Sequence, residues 1–195
     1  ENQIMKNEKP IWLKKLESFY ENCDDHSIEY TMNHYHEIFH KDFNNEYEIL
    51  DIIGSGSIGQ VYLIQNKPLT KFSKKEKYIM KILHPNVIHE INFFRKFYNI
   101  ISYIPQIRKF ICNNFPFDIN AFIDQFNEQS DFINEANHLL QFKENYKNND
   151  FIIIPGLIKC SQSILIMSYE EGISFDELTI DTYHKYKIAL LLISF

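Results

Sequence analysis

The sequence is poor in cysteine and in clustered basic residues, and it has no long apolar run. Its three cysteines, Cys23, Cys112 and Cys160, stand far apart, so we expect a reducing compartment and no disulfide framework. No apolar run approaches the roughly 20 residues of a transmembrane helix. No lysine or arginine block accompanies the formal charge of −6, which argues against nucleic acid as a partner.

What is present is a composition typical of a soluble globular protein, with 45% hydrophobic and 24% charged residues and an unusual number of phenylalanines and tyrosines. The 195 residues suffice for one core or two small lobes. The chain starts at Glu1 rather than Met, shows no signal-peptide pattern and stops at Phe195 inside an apolar run. We therefore expect either an excerpt of a longer chain or a naturally truncated protein.

Three of the five glycines fall in one segment, where Gly54, Gly56 and Gly59 form G-x-G-x-x-G and Val61 extends it to G-x-G-x-x-G-x-V. Apolar patterns predict strands over 47–53 and 61–65. Glycines at the bend between two strands let backbone N–H groups approach a triphosphate, because no Cβ intervenes. The sequence therefore predicts a nucleotide-binding glycine loop, formed by Gly54, Ser55, Gly56, Ser57, Ile58, Gly59 and Val61.

A dinucleotide-binding Rossmann site is the alternative interpretation of these glycines. It requires a helix directly after them and an acidic residue about 20 positions further on. The sequence has a strand pattern there instead, and Lys81 stands where the acid should be. The pattern favours a kinase-type site, in which a strand lysine contacts the phosphates. A Rossmann-type redox domain remains the weaker hypothesis.

The other elements follow from apolar spacing and from proline and capping signals. Ser27 predicts the start of a helix that runs to about His40. In it His36 and His40 share a face, but a zinc site needs three or four ligands, so we favour a solvated histidine face. The remaining predictions are helices over 11–20 and about 85–103, one long helix over 118–143, helices after 173, a loop over 105–116, and strands over 77–83, 151–154 and 164–167.

Lys81 needs a carboxylate partner if it contacts phosphates, because kinase-type sites hold this lysine with a helix glutamate. Glu135 is our choice, since it lies at the margin of an apolar helical stripe, where a carboxylate needs a cationic partner. Glu128 and Asp131 are the weaker alternatives. The strand that holds Met167 leads towards Tyr169 and is typical of an inter-lobe hinge whose backbone contacts adenine.

Five segments occur in the order seen in one family: GSGSIGQVY, MKILHPNV, DFINEAN, IIP and IMSYEEG. In them the sequence resembles the UbiB/aarF-domain (ADCK) atypical kinases, over about residues 20–172. The resemblance implies a kinase-like fold, ATP binding with Mg²⁺, and a role in coenzyme Q or lipid metabolism, with lipid or quinone-pathway partners and a mitochondrial or membrane-associated setting. It makes Lys81 the phosphate-contacting lysine and Glu135 its ion-pair partner.

The sequence departs from that family in three places. The K-x-G-Q motif is absent from residues 1–53, and Met167-Ser168 replaces a more usual Met-Glu. No H-x-D-x-x-x-x-N and no D-F-G follow residue 172. Without these groups phosphoryl transfer loses its acceptor-orienting and Mg²⁺-binding parts, so we expect this chain alone to be inactive, with the metal ligands lying elsewhere.

The sequence therefore predicts an α+β fold, a kinase-like N-lobe with a small antiparallel sheet and long helices. We expect a helical N-terminal extension over 1–45, a nucleotide-binding lobe over 46–172 and the start of a truncated helical C-lobe over 173–195. The expected function is the ATP-binding portion of a UbiB-like kinase or ATPase. The alternative is a kinase-like binding module without catalysis, that is, a pseudokinase fragment.

Overall fold

The computed structural model describes residues 25–68, 74–114 and 118–173. The helices predicted over 11–20 and after 173 lie outside these residues. In chain order the elements are α1 (Ile28–Phe39), α2 (Phe43–Glu46), β1 (Tyr47–Ser55), β2 (Gly59–Asn66), β3 (Lys77–Leu83), α3 (Val87–Ser102), α4 (Pro105–Asn114), α5 (Ile119–Gln129), α6 (Phe132–Asn145), β4 (Leu157–Cys160) and β5 (Ile164–Ser168).

The five strands form one sheet in the order β1-β2-β3-β5-β4, and every neighbouring pair is antiparallel. The strands predicted over 47–53, 61–65, 77–83 and 164–167 are confirmed, with small differences at their ends. Strand β3 is central, so Lys81 pairs with Val61 on one side and with Leu165 on the other. The predicted α+β fold with an antiparallel kinase-like N-lobe sheet is confirmed.

Alternate side chains of a strand point to opposite faces of the sheet, and each face here packs against helices. On one face, α1 and α2 cover the largest core cluster, which consists of Tyr35, Phe43, Tyr47, Tyr62, Ile64, Met80, Ile82, Ile164 and Ile166. On the other face, the start of α6 packs Phe132 and Ala136 against Leu83 and Leu165. Lys81 belongs to this second face, beside Leu165.

Helix α1 begins and ends where its sequence predicts. Ser27 precedes it, and the Ser27 hydroxyl oxygen accepts a hydrogen bond from the Tyr30 N–H at 3.2 Å. His40 follows the helix with a φ of 55°, the left-handed conformation that commonly ends helices. Through Tyr35, helix α1 shares one core with the sheet. The predicted domain boundary between residues 1–45 and 46–172 stays a prediction.

The prediction of one helix over 118–143 is wrong, because the chain breaks at Ser130 and Asp131. Helix α5 ends at Gln129, and the Asp131 carboxylate accepts a hydrogen bond from the Ile133 N–H at 3.0 Å to cap α6. The Phe132 N–H also donates to the Gln162 carbonyl at 3.0 Å, which fixes the start of α6 against the sheet. A capping aspartate at the end of a polar run is the sequence signal of this break.

Two further predictions are wrong for local reasons. Residues 105–114 form α4 rather than a loop, because proline is well accepted at the first position of a helix. The strand predicted over 151–154 is displaced to β4, Leu157–Cys160. A short turn at Ser161 sets the register, since the Ile164 N–H donates to the Ser161 hydroxyl at 2.9 Å and Cys160 pairs with Leu165. Residues 151–154 therefore precede the paired strand.

Candidate functional site

A cleft of about 850 Å³ separates the glycine loop from α5 and α6. We call it the glycine-loop cleft. It is lined by Gly56, Ser57, Ile58, Gly59, Gln60, Val61, Lys81, Gln125, Glu128, Gln129, Asp131, Phe132, Asn134, Glu135 and His138. A cleft of this volume lies in the range of small-molecule and cofactor sites. Most of the glycine loop, the strand lysine and the helix glutamate therefore line one cleft.

The glycine loop is a tight turn between β1 and β2, in which the Gly56 N–H donates to the Gly59 carbonyl at 3.0 Å. The fold requires glycine at position 59, because a Cβ there would lie 2.4 Å from the Ile82 carbonyl oxygen. A Cβ at Gly54 would meet nothing within 4 Å, and one at Gly56 would meet only the Gly59 carbonyl, at 3.9 Å. No glycine here has a positive φ, so backbone strain does not explain Gly54 or Gly56.

Lys81 and Glu135 form an ion pair between β3 and α6, with the lysine Nζ donating to the glutamate Oε1. Their side chains are 30% and 40% exposed, so the pair lies at the boundary between the core and the cleft. The predicted contact between these two residues is thus present in the structure. The role of the pair in nucleotide binding stays a prediction.

The pair follows from how α6 packs against the sheet. Phe132 and Ala136 are buried against the face of the sheet that carries Lys81. Glu135 stands one residue before Ala136 and therefore at the edge of the buried stripe. The alternative partner Asp131 uses its carboxylate to cap α6, and Glu128 is exposed and makes no ion pair with a described residue. Among the three predicted candidates, only Glu135 contacts Lys81.

The structure brings the predicted site residues together only in part. Gly54, Ser55, Met167 and Tyr169 lie outside the lining of the cleft. Met167 pairs with Ile79 on β3, so its side chain is on the same face of the sheet as Lys81. The Tyr169 N–H donates to the Lys77 carbonyl at 3.3 Å. Adenine contact at Met167 and Tyr169 stays a prediction.

Sequence reasoning missed the polar side chains that α5 and α6 present to the cleft, namely Gln125, Gln129, Asn134 and His138. Their helical spacing was the available signal: Gln125 and Gln129 lie four residues apart, as do Asn134 and His138. Which side of a helix faces a cleft depends on its packing partner, so spacing alone could not select these residues.

The predicted histidine face is solvated, since His36 and His40 are both exposed. His34, on α1 but not part of that face, is partly buried, and its ring bonds to the Ser163 hydroxyl at 2.8 Å. Within residues 25–68, 74–114 and 118–173, no group of three metal-ligating side chains converges. None of the helices in these ranges has the length and apolar content of a membrane-spanning segment.

The fold and the cleft together define a kinase-like N-lobe, with a glycine loop over a strand lysine that a helix glutamate holds. The sequence matches the model of the ABC1 atypical kinase-like domain over residues 18–194. The chain belongs to the ABC1 atypical kinase-like family, and the resemblance noted from its motifs is confirmed at that level.

Two relatives illustrate the similarity. The chain is 30% identical over 178 residues to the probable serine/threonine-protein kinase abkC of Dictyostelium discoideum, an alignment that covers 83% of this chain and 24% of that protein. The chain thus spans about a quarter of the length of this curated relative. Among solved structures it is similar to Rv3197 of Mycobacterium tuberculosis, solved in complex with erythromycin, with a TM-score of 0.47 and 15% identity over 70% of this chain and 34% of that one.

Proposed function

We propose that this chain is the nucleotide-binding part of an ABC1-family atypical kinase or ATPase, and that ATP binds in the glycine-loop cleft. The observation that carries the proposal is the Lys81–Glu135 ion pair at the wall of that cleft. Family membership supports kinase-type chemistry in general. The ion pair supports binding of the phosphates beside Lys81.

The ammonium group of Lys81 has donors to spare. It carries three N–H groups, and Glu135 is its one hydrogen-bond partner within the described residues. The remaining N–H donors lie beside the cleft and are available to hydrogen-bond to a bound anion. Glu135 limits the directions that the flexible lysine takes, so less side-chain entropy is lost when phosphate binds. A lysine with one carboxylate partner and an open side suits phosphate binding better than a lysine enclosed in a network.

The glycine loop supplies a second group of donors. The backbone N–H groups of Ser57 and Ile58, at its tip, donate to no described residue. The space left beside Gly56 lets a bulky anion in the cleft approach the main chain, as a Cβ would not. Gly59 differs, because strand β3 already accounts for its missing side chain. We therefore assign phosphate contact to the tip of the loop, with Gly59 as a packing residue.

Mg²⁺ would enter the site with the nucleotide. The Asp131 carboxylate already caps α6, and no set of three ligands is found among the described residues. Glu128 and Glu135 are the other carboxylates in the lining. The chain covers about a quarter of its curated relative. Experiments on the full-length protein must therefore distinguish phosphoryl transfer, ATP hydrolysis and binding without catalysis. Lipid or quinone-pathway partners and the cellular setting stay predictions from the resemblance.

The first test is equilibrium ATP binding with Mg²⁺, followed by calorimetry and by ATP-induced thermal stabilisation. Lys81→Met should weaken binding by roughly 10- to 100-fold, because a charge-assisted hydrogen bond contributes about 1.5–3 kcal/mol. Lys96→Met, on the exposed side of α3, is the matched control and should leave the affinity unchanged. Unchanged ATP affinity in Lys81→Met would overturn the assignment.

Glu135→Gln separates positioning from charge. The amide keeps an acceptor for Lys81 but removes the negative charge, so we expect an intermediate loss of ATP affinity of roughly 3- to 10-fold. Glu90→Gln, an exposed change in α3, is its control. Assays of phosphate transfer and release on the full-length protein then decide between kinase, ATPase and inactive binding module. A full-length protein that binds ATP without releasing or transferring phosphate would support the last.

A further inference from the structure

Two histidines from distant parts of the chain meet beside the glycine loop. His84 directly follows β3, and His26 precedes α1. Their Nδ1 atoms are 2.7 Å apart, and their rings are nearly perpendicular with centroids 4.9 Å apart. Both rings are partly buried. Two imidazoles joined at this distance need one donor and one acceptor, so the protons of the pair are not arranged independently.

The surroundings determine which nitrogen carries each proton. The His84 Nε2 lies 2.9 Å from the carbonyl oxygen of Gly56, which only accepts, so His84 carries its proton on Nε2. Its Nδ1 is then the acceptor, and His26 must donate from Nδ1. The longer approach of the Ser55 hydroxyl to the His84 Nε2, at 3.3 Å, is compatible with this proton position.

The same logic extends two steps further from the loop. With its proton on Nδ1, His26 accepts at Nε2, where the Thr31 hydroxyl lies at 2.9 Å. Thr31 then donates to His26 and accepts from the Tyr62 hydroxyl at 2.7 Å. Tyr62, Thr31, His26, His84 and Gly56 thus form one directed chain of hydrogen bonds. Each member of the chain is satisfied with both histidines neutral.

This chain of hydrogen bonds ends at Gly56, on the turn that covers the cleft. His84 holds this turn twice, since its side chain donates to the Gly56 carbonyl and its backbone N–H donates to the Ile58 carbonyl at 2.9 Å. His26 holds the following strand, because its backbone N–H donates to the Gln60 side-chain carbonyl at 3.0 Å. The segment before α1 is therefore linked to the glycine loop through His84, and its His26 N–H bonds directly to the side chain of Gln60 at the start of β2.

We propose that His84 is a positioning residue that fixes the Gly56 carbonyl of the glycine loop, and that His26 holds the His84 ring in place by donating to its Nδ1. The segment that precedes α1 is thereby coupled to the conformation of the loop. The effect on ATP affinity rests on the function proposed above. The tautomers and the loop geometry do not, so they can be tested without nucleotide.

A proton added to His26 goes to Nε2, because Nδ1 already carries one, so it displaces the hydrogen bond that Thr31 donates to this nitrogen. Burial, followed by the proximity of His84, lowers the pKa of His26 from 6.5 to about 4. Asp25 opposes this shift and His34 adds to it, while Tyr30 and Tyr62 are the other titratable groups in ring contact with His26. The unfolded chain binds this proton near pH 6.5 and the folded chain only near pH 4. The folded state therefore favours neutral His26, and stability falls as the pH drops from 6.5 towards 4.

The decisive measurement is the tautomeric state of both rings by nitrogen NMR on the whole labelled chain without nucleotide. We expect the proton of His84 on Nε2 and that of His26 on Nδ1. The proposal is overturned if either ring carries its proton on the other nitrogen, or if either shows a mixture of tautomers in the folded protein. No substitution is needed, so a folding failure cannot obscure the result.

Two substitutions test the consequence for the loop. His84→Ala should raise amide exchange at Gly56 about tenfold, and His26→Ala should raise it less, because His84 then loses only the donor at its Nδ1. His84→Gln retains a side-chain donor for the Gly56 carbonyl and should restore most of the protection, a rescue that mere filling of space would not show in His84→Leu. His36→Ala, an exposed change in α1, is the control. Unchanged exchange at Gly56 in His84→Ala would overturn the positioning role.

The ATP measurement is then made separately. If wild-type chain shows the expected tautomers but binds no ATP, the proposed function fails while the positioning of the loop stands. If wild-type chain binds ATP but His84→Ala binds it equally well and keeps Gly56 protected, the positioning proposal fails while the proposed function stands.

Discussion

Two lysine–glutamate pairs lie on opposite faces of the same sheet, and they differ in how completely they are enclosed. Lys159 of β4 contacts Glu46 at 3.0 Å and the Tyr35 hydroxyl at 2.7 Å, and its ammonium lies 4.6 Å from the centre of the Phe39 ring. Glu46 also accepts from Lys41 at 2.8 Å and from Tyr35 at 2.5 Å. The Lys159 ammonium and the Glu46 carboxylate therefore each have at least two hydrogen-bond partners in the protein.

The Lys81–Glu135 pair has only its own two members within the described residues. Its side chains are 30% and 40% exposed, against 24% and 27% for Lys159 and Glu46. The difference in exposure is small, so exposure alone does not separate the pairs. The number of partners does: a saturated pair joins elements of the fold, whereas an unsaturated pair beside a cleft keeps donors for a ligand.

The largest effect that separates the two faces should come from neighbouring residues of β3. Met80 is fully buried under α1, and Met80→Ala should lower the free energy of unfolding by about 2–5 kcal/mol. Lys81→Met, one residue on and on the opposite face, should change stability by less than about 1 kcal/mol while it weakens ATP binding. Urea unfolding measures the first effect and calorimetry the second. A larger loss of stability in Lys81→Met than in Met80→Ala would contradict the division between the faces.

The glycine loop offers the next comparison, between two alanine substitutions. Gly59→Ala should destabilise the fold by about 1–3 kcal/mol, because its Cβ would lie 2.4 Å from the Ile82 carbonyl oxygen. Gly54→Ala should change stability by no more than about 0.5 kcal/mol, because a Cβ there meets nothing within 4 Å. Thermal and urea unfolding of both variants test this difference, and equal losses would refute it.

The smallest effect should come from the enclosed pair, and it depends on pH. Burial favours the neutral form of Glu46, but hydrogen bonds from Lys41, Tyr35 and Lys159 outweigh burial and lower its pKa from 4.5 to about 2. The folded chain therefore binds this proton less readily than the unfolded chain. The stability that the carboxylate contributes, about 1–2 kcal/mol, is present above pH 4.5 and lost as the pH falls towards 2.

Glu46→Gln tests this dependence by urea unfolding at neutral and acidic pH. The variant should be less stable than the wild type at pH 7, and the difference should narrow as the pH falls from 4.5 to 2. Glu48→Gln, an exposed change in β1, is the control and should follow the wild-type curve. A constant difference between Glu46→Gln and the wild type at all pH values would show that the charge of Glu46 contributes nothing.

Much of the site could be predicted because its chemistry is carried by local patterns. Glycines between two strand patterns indicate a loop that lets an anion approach the main chain, and strand alternation places Lys81 on one face of β3. The partner Glu135 could be chosen because a carboxylate beside an apolar helical stripe requires a cation. Each of these inferences depends on a few neighbouring residues and on general stereochemistry.

The errors arose where local pattern was weaker than packing. The apolar spacing of 118–143 is compatible with one helix, but the capping of α6 by Asp131 and the contact of Phe132 with the turn at Gln162 divide it. The apolar run over 151–154 resembles a strand, but the turn before β5 pairs Leu157–Cys160 instead. In both places a contact with a distant segment selected one of two locally acceptable structures.

By itself, the sequence determined the alternation of the strands, the start and end of α1, the glycine loop and the identities of the lysine and its glutamate. Contacts between distant segments determine that Gly59 is a packing residue while Gly54 and Gly56 have open space, and that His26 meets His84. The reason is physical: backbone preference and side-chain periodicity act within a few residues, whereas hydrogen-bond partners and open space depend on segments that folding brings together.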